Sequence, residues 1–173
     1  GVNYVLIIST NAGWWAYNIG DTISFVSFNP YRLVVTGRIK HFISAFGEHV
    51  ISKEVEAAMQ MACKSTPVQV KEFTVAPQID PTQGLPYHEW FIEFETPPHN
   101  IQDFAEKIDQ IMQEQNLYYQ DLLEGKVLKT LEISTVANGG FQEYMKSIGK
   151  LGGQNKVPRL SNDRKIADKL TLK

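Results

Sequence analysis

The stretch PYHEWFIEFETPPHNIQDFAEKIDQIM, residues 86–112, places a strand pattern directly before a helix pattern. In its first part Trp90, Ile92 and Phe94 recur at every second position, which predicts a strand with one apolar face and with glutamates near its other edge and ends. Asn100 is then predicted to cap an amphipathic helix, because apolar residues follow it at helical spacing. These residues are Ile101, Phe104, Ala105, Ile108, Ile111 and Met112.

The segment before this stretch predicts one more helix and one more strand. Ser52 is a good N-cap residue, and apolar residues recur at helical spacing from there to about Lys64. Residues 68–78, VQVKEFTVAPQ, predict a strand that a long, turn-rich loop joins to the strand described above. The two strands are therefore expected to pair.

After the central helix, residues 116–127 predict another helix and residues 127–136 a short strand. Asn138 is predicted to cap a last helix, which ends at Gly149 or Gly152. From residue 52 the order is helix, strand, strand, helix, helix, strand, helix. This order predicts an α+β fold in which helices pack on a small sheet.

Three strands are predicted near the N-terminus, at residues 5–8, 22–28 and 31–37, with Gly20 and Asp21 as the turn before the second. Three short strands are too little for an independent sheet. We therefore expect the chain to be a piece of a longer protein. The predicted organisation is residues 1–36 as the last strands of a large N-terminal domain, 37–46 as a hinge, and 47–173 as a small C-terminal α+β domain.

Composition argues against several classes of protein. The chain has 173 residues, of which 43% are hydrophobic, and a net charge of −2, so it lacks the basic excess with which proteins bind nucleic acid or anionic membranes. The N-terminus has neither the basic region of a signal peptide nor the length of a membrane span. With Cys63 as its one cysteine, no disulfide framework is possible and a cytoplasmic location is expected. The four histidines show no metal-binding spacing, so no metal site is expected.

Lys156 lies in GGQNKVPRL, residues 152–160, a stretch that suits neither a helix nor a strand. Gly152 and Gly153 permit a close backbone approach, whereas Pro158 fixes its own φ and pushes the preceding residue toward an extended conformation. A loop of this kind can aim a cation at a ligand. The alternative is that Lys156 is an ordinary solvated lysine on a surface loop.

Two upstream motifs also suggest chemistry. YNIGD, residues 17–21, ends in Asp21, whose carboxylate could accept hydrogen bonds from the vicinal hydroxyls of a ribose. Taken alone, the motif is more typical of a hairpin turn. GRIKHFISAFGEHVISKEVE, residues 37–56, begins with a glycine followed by Arg38, which could reach hydroxyls or a phosphate. The alternative for the second motif is a basic linker with Arg38, Lys40 and His41 in solvent.

In combination and at this spacing, the three motifs resemble the adenylate-forming superfamily of acyl-CoA synthetases, peptide synthetase adenylation domains and luciferases. The segments GRIKHFISAFGEHV and GGFQEYMKSIGKLGGQNKVPRL are most similar to the acyl acid amido synthetases named after auxin-responsive promoter genes. The resemblance implies the C-terminal part of an ATP-dependent ligase. Such an enzyme activates a carboxylic acid as an acyl adenylate and transfers the acyl group to an amine, commonly that of an amino acid.

The resemblance also implies roles for individual residues. Asp21 would hold the ribose of ATP, and Arg38 would assist in binding that ribose. Tyr17 would line the nucleotide site, and Lys156 would act in adenylation. Mg²⁺ would be bound mainly by the N-terminal domain, which is also the expected protein partner. The hinge departs from the superfamily's GRxxDxIK pattern, so either Lys40 or His41 stands at the hinge position.

Two other functions remain open from sequence. One is a ligase of the same superfamily that uses coenzyme A as the acceptor, and the other is a non-catalytic interaction or regulatory domain. In either synthetase reading, the isolated chain is expected to be inactive, because the phosphate-binding loop and the acyl pocket of the family lie upstream.

Overall fold

The computed structural model describes residues 2–38, 42–152 and 155–173. Its N-terminal part is an antiparallel sheet of three strands in the order β1-β2-β3. These strands are β1 Tyr4–Ile8, β2 Tyr17–Phe28 and β3 Tyr31–Arg38. Large apolar side chains such as Val26, Tyr31 and Val35 remain exposed on this sheet. Exposed apolar patches of this kind are typical of a surface that packs against another protein surface.

The rest of the chain is built on a second three-stranded sheet in the order β6-β7-β8, with β6 and β7 antiparallel and β8 parallel to β7. A two-stranded ribbon, β4 with β5, precedes it. The elements are β4 Phe42–Ile43, β5 Val50–Ile51, α1 Ser52–Lys64, β6 Gln69–Gln78, β7 Tyr87–Thr96, α2 Ile101–Gln115, α3 Leu117–Glu124, β8 Glu132–Thr135 and α4 Gly140–Ser147, followed by a 3₁₀ turn at Ala167–Lys169. The α+β fold class is as predicted.

Both faces of the second sheet are covered. Trp90 and Ile92 face a hydrophobic cluster shared with α1, α2 and α3. Phe91, between them, faces a cluster shared with α4 and with residues 155–173, which we call the C-terminal segment. The prediction of a single apolar face on β7 was therefore incomplete. Glu89 and Glu93 are themselves buried, and they satisfy their carboxylates with Ser134, Arg164 and a backbone N–H.

The C-terminal segment crosses the sheet from one edge to the other. At the β6 edge, the Val75 N–H donates to Arg159 O at 2.9 Å and the Ser161 N–H donates to Val75 O at 3.0 Å. At the β8 edge, Val136 pairs with Leu172 in an antiparallel bridge. Pairing of this kind occupies backbone groups that an open sheet edge would leave unsatisfied. The segment containing Lys156 is thus attached to the free edge of β6.

In the part of the chain after residue 50, three predicted details of the helices and strands were wrong. Ser52 is the first residue of α1 rather than its cap, and the preceding Ile51 N–H donates to the Glu54 carboxylate at 3.0 Å. Asn138 does not cap α4, since its side-chain oxygen accepts a hydrogen bond from Lys71 and Gly139, with φ of 82°, precedes the helix. The helix ends at Ser147, two residues before Gly149, in agreement with the prediction that it ends at Gly149 or Gly152.

The third difference is the length of β8, which starts at Glu132 instead of near residue 127. The N–H groups of Val127 and Leu128 bond back to α3 at Leu122 O, and the Leu131 N–H donates to the Asp109 carboxylate at 3.0 Å. Residues 127–131 therefore belong to the connection from α3. The predicted domain boundaries stay predictions, and the candidate hinge residues Lys40 and His41 lie outside the described residues.

Candidate functional site

A cavity of about 440 Å³ lies where the first sheet, the start of α1 and the C-terminal segment meet. Asp21 contributes to its wall from β2, and Lys156 contributes from the other end of the chain. The lining residues are Asp21, Val35, Gly37, Ser52, Glu56, Lys156, Val157, Pro158 and Arg159. A cavity of this size is in the range of small-molecule sites in proteins.

Asp21 is placed by an irregularity inside β2, and the predicted turn at Gly20 and Asp21 was wrong. Gly20 has φ of 83°, and its N–H donates to the Asn18 side chain at 2.9 Å. Between the pairs Val5–Thr22 and Ile7–Asn18 the β1–β2 register shifts, so β2 carries extra residues there. A bulge of this kind redirects side chains, and the half-buried Asp21 consequently borders the cavity.

The loop that carries Lys156 is anchored immediately after the lysine. Val157 is buried in the cluster with α4, and the Thr74 hydroxyl donates to Pro158 O at 2.7 Å. The next residue, Arg159, accepts a backbone hydrogen bond from Val75. Lys156 itself is exposed, so its amine can reach a ligand while its backbone is fixed from the following residue onward.

Arg159 was not identified from the sequence as a site residue. Its guanidinium forms ion pairs with Glu72 of β6 and, at 3.4 Å, with Glu56 of α1. It also donates to Phe73 O at 3.1 Å and lies over the Phe73 ring, 4.6 Å from the ring centroid. These partners lie more than 80 residues upstream, so no local pattern could have revealed them.

The other two predicted site residues, Tyr17 and Arg38, are not seen to line the cavity. Tyr17 packs edge-on against Trp14, with ring centroids 4.2 Å apart, and is not among the described residues that line the cavity. The backbone of Arg38 pairs with that of Asp21 across β2 and β3. The side chain of Arg38 lies outside what the structure describes, so its predicted contact with the nucleotide stays a prediction.

A second cavity, of about 280 Å³, lies on the other side of the Lys156 loop and shares Lys156 and Val157 with the first. Its wall includes Lys71 and Lys150 together with apolar side chains of α4. Lys71 donates to Asn138 at 2.8 Å. Lys156 therefore stands between two concave surfaces and can face either of them.

A buried polar cluster lies apart from both cavities. His88 Nε2 lies 2.9 Å from Glu48 Oε1, and the ring of His88 stacks on Tyr119 with centroids 5.1 Å apart. Burial by itself raises the pKa of Glu48, but hydrogen bonds from His88 and from the Phe46 N–H, with the charge of His88, bring that pKa below its ordinary value. The sequence showed His88 only as a histidine without metal spacing.

Within residues 2–38, 42–152 and 155–173, no three His, Cys, Asp or Glu side chains come together as metal ligands. In the same ranges, no helix has both the length and the apolar character needed to cross a membrane.

Residues 53–165 match the GH3 family C-terminal domain, and residues 1–38 match the GH3 family central domain. An indole-3-acetic acid-amido synthetase, GH3.10 of Arabidopsis thaliana, is 24% identical over 97% of this chain and 30% of its own length. The solved structure of the GH3.15 acyl acid amido synthetase matches 98% of this chain and 33% of that chain, with 20% identity and a TM-score of 0.74.

A structure of AtGH3.15 in complex with 2,4-DB matches the same shares of both chains, with 18% identity and a TM-score of 0.71. The chain spans about a third of the length of these relatives. The structural likeness confirms the predicted fold class, and the family matches confirm the resemblance read from the motifs. Because the match to the C-terminal domain alone covers more than half of this chain, the chain belongs to the GH3 family.

Proposed function

We propose that this chain is the C-terminal portion of an ATP-dependent ligase. The complete enzyme activates a carboxylic acid as an acyl adenylate and then transfers the acyl group to the amine of an amino acid. The observation that carries the proposal is the cavity that brings Asp21 and Lys156 together from opposite ends of the chain. Family membership supports it, because relatives of this chain are acyl acid amido synthetases.

In the first step, a carboxylate oxygen of the acid attacks the α-phosphorus of ATP, and the bond from that phosphorus to pyrophosphate breaks. Negative charge grows on the phosphoryl oxygens and on the leaving pyrophosphate. The Lys156 ammonium stabilises this charge more in the transition state than in the ground state, which lowers the barrier. The Asp21 carboxylate accepts hydrogen bonds from the two ribose hydroxyls and fixes the nucleotide.

In the second step, the amine nitrogen attacks the acyl carbonyl carbon, the bond to AMP breaks, and the amine loses a proton. The role proposed for Lys156 belongs to the first step, in which the pyrophosphate leaves. A cytoplasmic location and the binding of Mg²⁺ by the N-terminal domain belong to the same proposal and stay predictions.

The test is acid-dependent exchange of radioactive pyrophosphate into ATP by the full-length protein. The acid panel contains indole-3-acetate and 2,4-DB, which occur in the names of the relatives, together with benzoate and hexanoate. We expect Lys156→Ala to lower the exchange rate by about 100-fold or more, as the loss of one transition-state contact typically does. Asp21→Asn should mainly raise the KM for ATP.

Three results would count against the proposal. If Lys156→Ala kept the wild-type rate of acid-dependent exchange, a non-catalytic domain would be the better interpretation. If the wild type exchanged pyrophosphate at the same rate with no acid, activation of a carboxylic acid would be wrong. If product formed only with coenzyme A and never with an amino acid, the amide-forming reaction would be wrong although adenylation would stand.

A further inference from the structure

Arg159 and Arg164 attach the C-terminal segment to β6 in closely similar ways. Arg159 donates to Phe73 O at 3.1 Å, and Arg164 donates to Pro77 O at 3.4 Å. Each guanidinium also forms ion pairs with two carboxylates and lies over a phenylalanine ring. The partners are Glu56, Glu72 and Phe73 for Arg159, and Glu89, Asp168 and Phe91 for Arg164.

The two arginines differ in their relation to the cavity. Arg159 lines it, three residues after Lys156, whereas Arg164 is not among the described residues of its wall. A loss of general stability should therefore be similar for both arginines. A loss that concerns Lys156 should occur for Arg159 alone.

The charge of Arg159 is already matched by the carboxylates of Glu56 and Glu72. The guanidinium therefore adds little net positive charge to the cavity, unlike the exposed Lys156. What Arg159 does instead is bind α1 and β6 simultaneously, with a planar group whose several N–H donors are fixed relative to one another. This contact fixes the backbone that follows the lysine.

Fixing this backbone matters because a lysine side chain has many rotamers, and a free loop would multiply the number of positions its amine can occupy. A displacement of about 1 Å at a reacting group can lower a rate about 100-fold, even when no contact with substrate is lost. Thr74, whose hydroxyl donates to Pro158 O at 2.7 Å, restrains the same loop from β6.

We propose that Arg159 is a positioning residue that holds the Lys156 amine in place for adenylation. The inference rests on the proposed function, since it assigns to Arg159 an effect that is exerted only through Lys156.

The experiment is a double-mutant cycle in the full-length protein, with pyrophosphate exchange measured for the panel acid that gives the fastest wild-type rate. The proteins are the wild type, Lys156→Ala, Arg159→Gln and the double variant, with Arg164→Gln as the matched control. We expect Arg159→Gln to lower kcat by about 10- to 100-fold with the KM for ATP changed less than threefold. In the Lys156→Ala background, Arg159→Gln should have no further effect.

The pyrophosphate exchange rate of Arg164→Gln should lie within about threefold of the wild-type rate, although this variant loses the same kinds of contact as Arg159→Gln. If Arg159→Gln and Arg164→Gln lowered the rate equally, or if the effects of Arg159→Gln and Lys156→Ala multiplied in the double variant, the positioning role would be wrong while the proposed function stood. If Lys156→Ala had no effect, both the proposed function and this inference would fail.

Two further variants keep the test decisive if Arg159→Gln does not fold. Arg159→Lys keeps the charge but cannot bind both carboxylates and the carbonyl in the same geometry, so it should recover only part of the rate. Thr74→Val removes the hydrogen bond to Pro158 with little change in volume, and we expect it to lower kcat but not the KM for ATP. Wild-type kcat in both would overturn the inference.

Discussion

At the scale of single residues, Glu48 and His88 join the segment after β4 to the centre of the second sheet. Both side chains are almost completely buried, and Asn116 adds a hydrogen bond to Glu48 O at 3.0 Å. Leaving one member of such a buried pair without its partner is costly, because a desolvated polar group then lacks compensation. The pair therefore contributes to the stability of the connection between the predicted hinge and the sheet.

The pKa of Glu48 predicts how this contribution changes with pH. Because the folded-state pKa is lowered from 4.5, the contribution is fully present above pH 4.5 and is lost as the pH falls through the folded-state value. Glu48→Gln should destabilise the protein by roughly 1–3 kcal/mol at pH 7. The difference from the wild type should shrink as the pH falls below about 4.5. Urea unfolding midpoints of both proteins between pH 3 and pH 7 measure it.

Glu114→Gln is the matched control, since Glu114 is exposed on α2. Glu54 lies close to the pair, and burial raises its pKa, so its contribution runs in the opposite direction with pH. The contribution of Glu54 is present in both the wild type and Glu48→Gln, so it largely cancels when their stabilities are compared. A difference between wild type and Glu48→Gln that stayed constant down to pH 3 would show that the Glu48 charge does not stabilise the fold.

At the scale of elements, the bulge in β2 determines whether Asp21 reaches the cavity. Gly20 adopts φ of 83°, and nothing lies within 4 Å of the position where a Cβ would be. Gly20→Ala should therefore cost about 1 kcal/mol through backbone strain alone. Hydrogen exchange at the amides of residues 17–28 measures this cost locally, because exchange reports the opening of each part of a protein separately.

Gly37→Ala is the matched control in the neighbouring strand. Gly37 does not have a positive φ, and a Cβ there would lie 3.5 Å from the Thr22 hydroxyl, an ordinary contact. We expect this substitution to leave exchange in β2 unchanged or slower. Equal acceleration of exchange by both substitutions would mean that the conformation of Gly20 is not what shapes the bulge.

The elements themselves were largely predictable, because periods of 2 and 3.6 residues are local properties of the chain. The helix that begins at Ile101 was predicted with its cap, and the Gln102 N–H donates to the Asn100 side chain at 2.9 Å. Errors arose where a distant group replaced a local one. The carboxylate of Asp109 binds the Leu131 N–H, and Lys71 binds the side chain of Asn138.

At the scale of the whole molecule, the first sheet and the C-terminal segment form a cavity with α1, but the chain spans only about a third of its relatives. We therefore predict that the 173-residue chain alone shows no acid-dependent pyrophosphate exchange, whereas the full-length protein does. The assay compares both at equal concentration with the same acid panel. Exchange by the chain alone at more than about 1% of the full-length rate would show that the cavity is a complete active site.

By itself, the sequence determined the succession of helices and strands and the glycine-flanked loop that carries Lys156, since these depend on residues close together in the chain. It also determined the family, because each motif and its spacing can be read along the chain without the fold. Only the tertiary structure decided which residues share the cavity with Lys156. It brought Asp21 there through a bulge, left Tyr17 against Trp14, and added Arg159 with its two carboxylates. The physical reason is that Asp21 and the carboxylate partners of Arg159 lie more than 80 residues from the C-terminal loop, and no periodic pattern records contacts over that separation.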